Sequence, residues 1–275
     1  MGRIAIDMKG VQAVSLEILK TFSDICEANG FRYMLTWGTL IGAIRHKGFI
    51  PWDDDIDVLM PRPDFEKFQT YFNNHAEELR PLRLFTSETK DYPYLIPRLS
   101  NDDYPLDVDN EKPCGMGVFV DIFILDGTGD SPEDAHRYIK SLCKYPRLIF
   151  LATRQHFEFG TTQGFFKKLI KFPVYCYAKL MGRDYFVKKQ LGYIDKESYN
   201  KKQYVGCALL CERPRFGVIE KKDVEDLISV PFEKYMFKVP RAYDKLLKMW
   251  YGNYMQVPPE KDRIPHHIYQ AFKKE

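Results

Sequence analysis

Residues 37 to 60 read Trp37-Gly-Thr-Leu-Ile-Gly-Ala-Ile-Arg-His-Lys-Gly-Phe-Ile-Pro-Trp-Asp-Asp-Asp-Ile-Asp-Val-Leu-Met60, and the fold is decided there. The last six residues, Asp55 to Met60, have the pattern of a strand. A side-chain period of two puts Asp55 and Asp57 on one face and Ile56, Val58 and Met60 on the other. Two carboxylates about 7 Å apart along a strand repel each other unless a cation lies between them. Hard oxygen ligands suit Mg²⁺ or Mn²⁺, and Asp53 is a further candidate ligand. Upstream, Gly38-Thr39 follows a short apolar strand, Phe31 to Leu35, and opens a predicted helix from Leu40 to His46. The first N–H groups of such a helix lack intrahelical partners and can hold phosphate. Thr39 either caps this helix or touches a phosphate oxygen. Arg45 and Lys47, at its far end, either fold back toward a diphosphate or remain solvated. The bland alternative is a solvated acidic turn after a plain helix start, which leaves four acids beside Trp52 and an Ile/Val/Met strand unexplained. The stretch therefore reads as a metal-assisted phosphoryl-transfer site.

Outward from it, Val11, Val14, Ile18, Phe22 and Ile25 recur at helical spacing, and Gly30 would end that helix. After the acidic strand, Asp64 is the expected N-cap of a helix carrying Phe65, Phe68, Tyr71 and Phe72. The unit is thus α-β-α-β-α. Arg83 to Thr86 and Leu95 to Ser100 read as short strands that bring Tyr92, Tyr94 and Arg98 near the sheet. Gly117 to Asp126 is a nearly continuous apolar strand interrupted by Asp121 alone, a charge that needs a partner. That partner is a shared site, a neighbouring turn or an arginine. Asp126, next to Gly127, reads as a turn residue.

Ser131-Pro-Glu-Asp134 has the form of a helix start and opens a helical, basic and aromatic region. Between residues 137 and 190 twelve Lys or Arg face two acids, a net +10 in a chain whose total is +3, so the remainder is acidic by seven. Phe165, Phe166, Leu169, Ile170, Phe172, Val174, Tyr175 and Tyr177 interleave with those charges. The surface suits an anionic membrane or a lipid-diphosphate carrier, or else is a solvated face packed on the core. No nucleic-acid recognition motif accompanies it, and nucleic acid is not an expected partner. The last third reads as a strand pair, Ser229 to Phe232 and Tyr235 to Val239, then a helix around Ala242 to Tyr251 and a break at Pro258-Pro259.

With 275 residues, 45% apolar and 15% aromatic, the chain can bury a full core. It shows no signal-peptide pattern and no run of 18 apolar residues, which predicts a cytoplasmic protein, peripheral at the inner membrane face if the basic region docks there. Six scattered cysteines do not form a disulfide framework. Cys207 and Cys211, four apart, lack nearby partners for a zinc site.

The string Gly38-Thr39-Leu40-x-Gly42-Ala43-x-Arg45-His46-x-Gly48-Phe49-Ile50-Pro51-Trp52-Asp53-Asp54-Asp55-Ile56-Asp57 resembles the signature of the LicD family. These are phosphorylcholine transferases related to the fukutin proteins, within the polymerase-beta-like nucleotidyltransferase superfamily. The resemblance extends to residues 117–127 and 230–268, although Asn253 and Lys234 stand where the family usually has Asp and Gly. It implies an α/β fold, a nucleotidyltransferase-like mixed sheet flanked by helices with an added helical region. The chain is expected to divide into a nucleotidyltransferase-like catalytic core at 1–130, the basic aromatic helices at 131–228, which carry no signature of the family, and a segment at 229–275 that closes the catalytic cleft. The implied reaction moves phosphocholine from CDP-choline to a sugar hydroxyl of a lipid-linked surface glycan or teichoic acid precursor, releasing CMP. In that reading Asp55, Asp57 and Asp121 are catalytic and, with Asp53, bind Mg²⁺ or Mn²⁺. Asp121 either completes the metal site or takes the proton from the attacking hydroxyl. Gly38, Thr39, Arg45, His46, Arg263, His266 and His267 would bind the donor phosphates. A quaternary ammonium asks for aromatic faces, and Trp37, Trp52, Tyr92 and Tyr251 are the candidates. Two competing classes are a nucleotidyltransferase adding a nucleotide monophosphate to a small molecule, protein or nucleic acid, and a glycan-binding module that has lost catalysis. The second should lack the acids, yet Asp55, Asp57 and Asp121 are all present.

Overall fold

The computed structural model describes residues 2–142, 145–157, 165–196, 198–209, 218–263 and 269–275, with residues 165–170 entering as backbone only. After strand β1 (Arg3–Ala5), helix α1 (Met8–Asn29) begins where the Asp7 carboxylate accepts a hydrogen bond from Gly10 N at 2.9 Å. It ends at Gly30, whose φ of 69° suits a residue without Cβ, so the expected stop is found. One face of α1 is buried through Val11, Ile18, Leu19, Phe22 and Ile25, the spacing that the sequence shows. Phe22 meets Tyr33 and Phe68 edge-on at 5.2 and 5.0 Å, which ties α1 to the segments on both sides of the acidic stretch.

Strand β2 (Met34–Leu35) leads into a short helix α2 (Trp37–Ile41) that continues as a wider π-type turn over Gly42–His46. Helix formation thus starts three residues before the expected Leu40 and loosens before His46. Gly42 permits this, because a Cβ there would lie 2.5 Å from the Gly48 carbonyl oxygen. Strand β3 (Asp57–Pro61) is two residues shorter at its start than the expected Asp55–Met60. Helix α3 (Arg62–Asn74) follows at once, and its N-cap is Pro61 rather than Asp64. Asp64 instead accepts hydrogen bonds from Arg32, so it serves an ion pair and not a cap.

Strands β4 (Leu82–Phe85), β5 (Arg98–Val108) and β6 (Gly117–Gly129) complete the centre of a mixed sheet. The second short strand therefore starts three residues later than expected and runs much longer. Four helices come next: α4 (Pro132–Leu142), α5 (Pro146–Thr153), α6 (Phe165–Met181) and α7 (Arg183–Leu191). Ser131 Oγ accepts from Asp134 N at 3.1 Å, so the expected helix start at α4 is present. A short α8 (Ser198–Lys201), β7 (Tyr204–Gly206), β8 (Ile219–Glu220) and α9 (Lys222–Glu225) lead to the hairpin β9 (Leu227–Phe232) and β10 (Tyr235–Pro240). Helix α10 (Tyr243–Tyr251) and strand β11 (Tyr269–Lys274) close the described chain.

The main sheet runs β1-β11-β5-β6-β3-β2, with β4 beside β5 and β7-β8 continuing from β6. β3 and β6 are parallel and most other pairs are antiparallel, giving the α/β mixed sheet flanked by helices that the sequence predicts. Strands from all three expected chain segments share this sheet. Among the described residues no helix is long and apolar enough to cross a membrane.

Asp126 is not a turn residue. It lies inside β6, fully enclosed, and both its oxygens accept from Arg62 at the start of α3, with Arg62 Nη2 at 2.9 Å. Burial pushes its carboxyl up, while Arg62 pulls it back toward the charged form. Removing one member of a buried pair leaves the other charge uncompensated, at a cost of about 3–5 kcal/mol. Asp126→Ala is therefore expected to lower the unfolding free energy, measured by urea titration, by that amount, and adding Arg62→Met is expected to restore most of it.

Candidate active site

The acidic centre follows from the pairing of two strands. Asp121 N donates to Ile56 O at 2.9 Å, and the parallel ladder that begins there sets Asp57 directly beside Asp121. Although Asp55 precedes the strand, its carboxylate joins them. Asp55, Asp57 and Asp121 each bring one oxygen to a common spot, all within 4.8 Å of one another. Asp53, Asp54 and Asp55 make a second such group, so Asp53 belongs with the loop and Asp55 is shared. Burial pushes the Asp57 carboxyl well up, and the neighbouring charges of Asp55, Asp121 and Asp53 push it further, against a smaller opposing pull from Arg98. Hard oxygens at this spacing leave room for a divalent cation with ligand distances of about 2.1 Å, and a cation would relieve the repulsion. The residues present therefore fit Mg²⁺ or Mn²⁺.

The surrounding contacts fix these acids from the backbone side. Thr39 Oγ1 accepts from Asp57 N at 2.9 Å, so Thr39 is a buried lock on β3 and not a helix cap. Gln12 Nε2 donates to Asp53 O at 2.8 Å, and the Tyr269 hydroxyl donates to Asp54 O at 2.9 Å. Gly38 faces the Asp53 carboxylate, where a Cβ would come within 2.7 Å of Oδ2. The start of α2 is thus already lined by an acid of the chain itself.

Asp121 also has the arginine partner that its place in an apolar strand requires. Arg98 Nε donates to Asp121 Oδ1 at 2.6 Å and Nη2 to Oδ2 at 3.4 Å. The guanidinium lies between the rings of Tyr94 and Phe119, 3.9 and 3.8 Å from their centroids. Burial alone would lower the Arg98 pKa, but Asp121, Tyr92 and Tyr94 together raise it above the ordinary value. Arg98 is the site residue whose role the sequence reading missed. The signal was available in the acid at position 121 of β6, amid apolar neighbours, but no spacing rule connects it to residue 98. A relay of contacts continues outward: the Tyr94 hydroxyl donates to Glu111 Oε1 at 2.8 Å, and Arg154, just past α5, donates to the same carboxylate.

The basic groups gather around Trp52. Arg45 Nη1 donates to the carbonyls of Tyr254 and Gln256 at 2.6 and 3.2 Å, while its Nε donates to His46 Nε2 at 3.0 Å. Burial lowers the His46 pKa, and Arg45 lowers it further, which favours a neutral ring that accepts this bond. Arg263 lies over Trp52, 5.3 Å from the ring, and His46 meets the same indole edge-on at 6.4 Å. Arg45, His46, Trp52 and Arg263 are thus brought together. His266 and His267 lie outside the described residues, as do Cys143 and Cys211; Cys207 is buried.

Two aromatic candidates are structural. Trp37 is buried against Phe123 and Trp250, and Tyr92 is fully enclosed with its hydroxyl on Ile96 O at 2.6 Å. Neither ring offers a face to a ligand, because core packing uses both. Trp52 is half-buried and Tyr251 is exposed at the end of α10.

Comparison with known proteins agrees with this architecture. The family described as LicD/FKTN/FKRP, nucleotidyltransferase domain, matches residues 30–147, which hold the strand pair and all five acids of the two groups. The lipopolysaccharide cholinephosphotransferase LicD of Haemophilus influenzae is 33% identical over 97% of this chain and 98% of its own length. An uncharacterized protein of Rickettsia prowazekii is 40% identical over 18% of the chain and 20% of its own length. Mannosyltransferase regulator 4 of Saccharomyces cerevisiae is 34% identical over 24% of the chain but only 6% of its own length. A family match across the acid-bearing sheet and a relative matched nearly end to end lead to one conclusion: the chain belongs to the LicD family of transferases.

Proposed function

We propose that the protein transfers phosphocholine from CDP-choline to a sugar hydroxyl of a lipid-linked surface glycan or teichoic acid precursor, releasing CMP. The observation that carries this reading is the convergence of Asp55, Asp57 and Asp121 in a chain that matches a cholinephosphotransferase over nearly its whole length. In this reading Asp55, Asp57 and Asp121, with Asp53 at the margin, hold Mg²⁺ or Mn²⁺. The bound cation would supply neutralisation of charge on the diphosphate and the departing nucleotide. Asp121, oriented by Arg98, completes that ligand set or receives the proton of the attacking hydroxyl. Arg45, His46 and Arg263 form the basic side facing the donor phosphates. Trp52, with exposed Tyr251 as the second candidate, offers the aromatic face that a quaternary ammonium favours, at about 0.5–2 kcal/mol per ring.

The test is incubation of the purified protein with CDP-choline, divalent cation and a glycan acceptor, with mass spectrometry of the products. CMP release with phosphocholine on the acceptor is expected. A nucleotide monophosphate on the acceptor, from CDP-choline or from ATP, would overturn the reading in favour of nucleotidyl transfer. Asp57→Asn is expected to reduce turnover by on the order of 10³-fold, since the amide keeps the size and loses the charge. Asp121→Asn should reduce transfer comparably, with donor affinity by calorimetry falling less than in Asp57→Asn; an equal fall would make Asp121 a ligand only.

A second expectation follows from the raised Asp57 carboxyl. A carboxyl whose folded pKa lies above its unfolded value favours folding while protonated, and that contribution is lost as pH rises from the ordinary Asp range through the raised folded value. The metal-free protein should accordingly lose thermal stability over that rise. Asp57→Asn, which cannot ionise, should melt higher than wild type at neutral pH. Mn²⁺ should raise the Tm of wild type and leave that of the variant nearly unchanged.

A further inference from the structure

Over residues 172–180 the outward face of α6 is mostly apolar. Phe172, Cys176 and Leu180 succeed one another at four-residue intervals, Pro173 and Tyr177 lie beside them, and all five are exposed. Leu180 is 84% exposed, the most exposed large apolar side chain among the described residues. The opposite side of the helix is the packed one, with Ala178 fully buried, while Lys179, at the edge of the exposed stripe, donates to the carbonyls of Ala152 and Arg154. An amphipathic helix normally turns its apolar stripe inward, so this one is reversed at its exposed end. Directly after Leu180 the chain bends at Gly182, with φ of 78°, into α7. There Tyr185, Lys188, Lys189, Gly192 and Tyr193 line an open cleft of about 490 Å³. Tyr177 of α6 and Tyr185 of α7 both pack against Phe186, which joins the two helices at this bend.

We propose that the α6–α7 bend is a membrane-docking element, with Phe172, Tyr177 and Leu180 entering the acyl boundary of an anionic leaflet and Lys188 and Lys189 contacting lipid phosphates. The charge selects this occupant. Lys188 and Lys189 line the cleft that adjoins this face, so a two-fold dimer through it would set like charges against each other. An occupant must be apolar where Leu180 points and anionic where the lysines lie, and an anionic lipid surface is both at once. Since α6 is too short and mixed to span a bilayer, it would lie in the interface plane. The relay from Arg154 through Glu111 and Tyr94 to Arg98 and Asp121 fixes the acidic site relative to this helical layer. The proposal rests on the preceding reading only for its purpose, delivery of a lipid-carried acceptor.

The test is sedimentation of the full chain with phosphatidylcholine vesicles of rising phosphatidylglycerol content, at low and at high salt. Wild type should partition increasingly with phosphatidylglycerol and less as salt rises. Tyr177→Ser/Leu180→Ser should weaken partition about tenfold or more, and Lys188→Gln/Lys189→Gln should weaken it by a similar factor and flatten its dependence on phosphatidylglycerol. As a conservative partner, Leu180→Trp should partition like wild type and show added fluorescence quenching by lipids brominated on their acyl chains. CMP release from CDP-choline in vesicle-free buffer should be unchanged in all three. Failure of wild type to partition, partition indifferent to the serine pair, or no added quenching in the Leu180→Trp variant would each overturn the proposal. So would a concentration-dependent dimer, seen by light scattering, that the serine pair dissolves. If wild type partitions as expected yet releases no CMP, the docking element stands and only the proposed reaction falls.

Discussion

Parallel pairing of Asp57 with Asp121 puts two carboxylates side by side in the centre of a sheet, and the rest of the structure accommodates that repulsion. Left alone, such a pair in a low-dielectric setting would neutralise one member or splay the strands. The chain opposes splaying with fixed neighbours on every side: Thr39 on the Asp57 amide, Gln12 and Tyr269 on the carbonyls of the acidic loop, and Arg98 on Asp121. Each of those contacts comes from a different element. The acids are therefore held by tertiary structure and not by the local turn.

The two buried arginine pairs divide the labour. Arg62 with Asp126 lies deep under α3 and ties helix to sheet at the far end of β6. Arg98 with Asp121 lies at the acidic cluster, clamped between aromatic rings that restrict its rotation and strengthen its charge interaction. Residues five apart on one strand thus carry structural and site roles with similar chemistry. What distinguishes them is access: other carboxylates crowd Asp121, while Asp126 is enclosed.

Much of this was legible in the sequence, because period alone carries it. The apolar repeat of α1, the glycine at its end and the alternation around Asp57 are local signals, and local signals fix elements well. The need of Asp121 for a partner was legible too, but its identity was not, since Arg98 reaches it across a strand pair. Asp126 beside Gly127 looked like a turn because the partner that makes it a buried strand residue, Arg62, lies 64 positions away. Trp37 and Tyr92 show the opposite error. The demand of a quaternary ammonium for aromatic faces suggested ligand contact, whereas packing against Phe123, Trp250 and Phe85 consumes their faces. The change from α-helix to π-turn at Gly42 was invisible as well, for it depends on the close return of the Gly48 carbonyl.

The hydroxyl of Tyr269 on the Asp54 carbonyl spans 215 positions, and the strand that carries it pairs with both β5 and β1. Contacts of such long sequence separation form late, because a large loop must close before they are rewarded. During synthesis, the sheet centre formed by β2, β3, β5 and β6 emerges long before Tyr269 does. A nascent chain would therefore hold its acids loosely until Tyr269 has emerged and acquire a rigid loop only then. Order of emergence from the ribosome then acts as a timing device: the acidic loop tightens only after the 215 positions that separate its two partners have been synthesised.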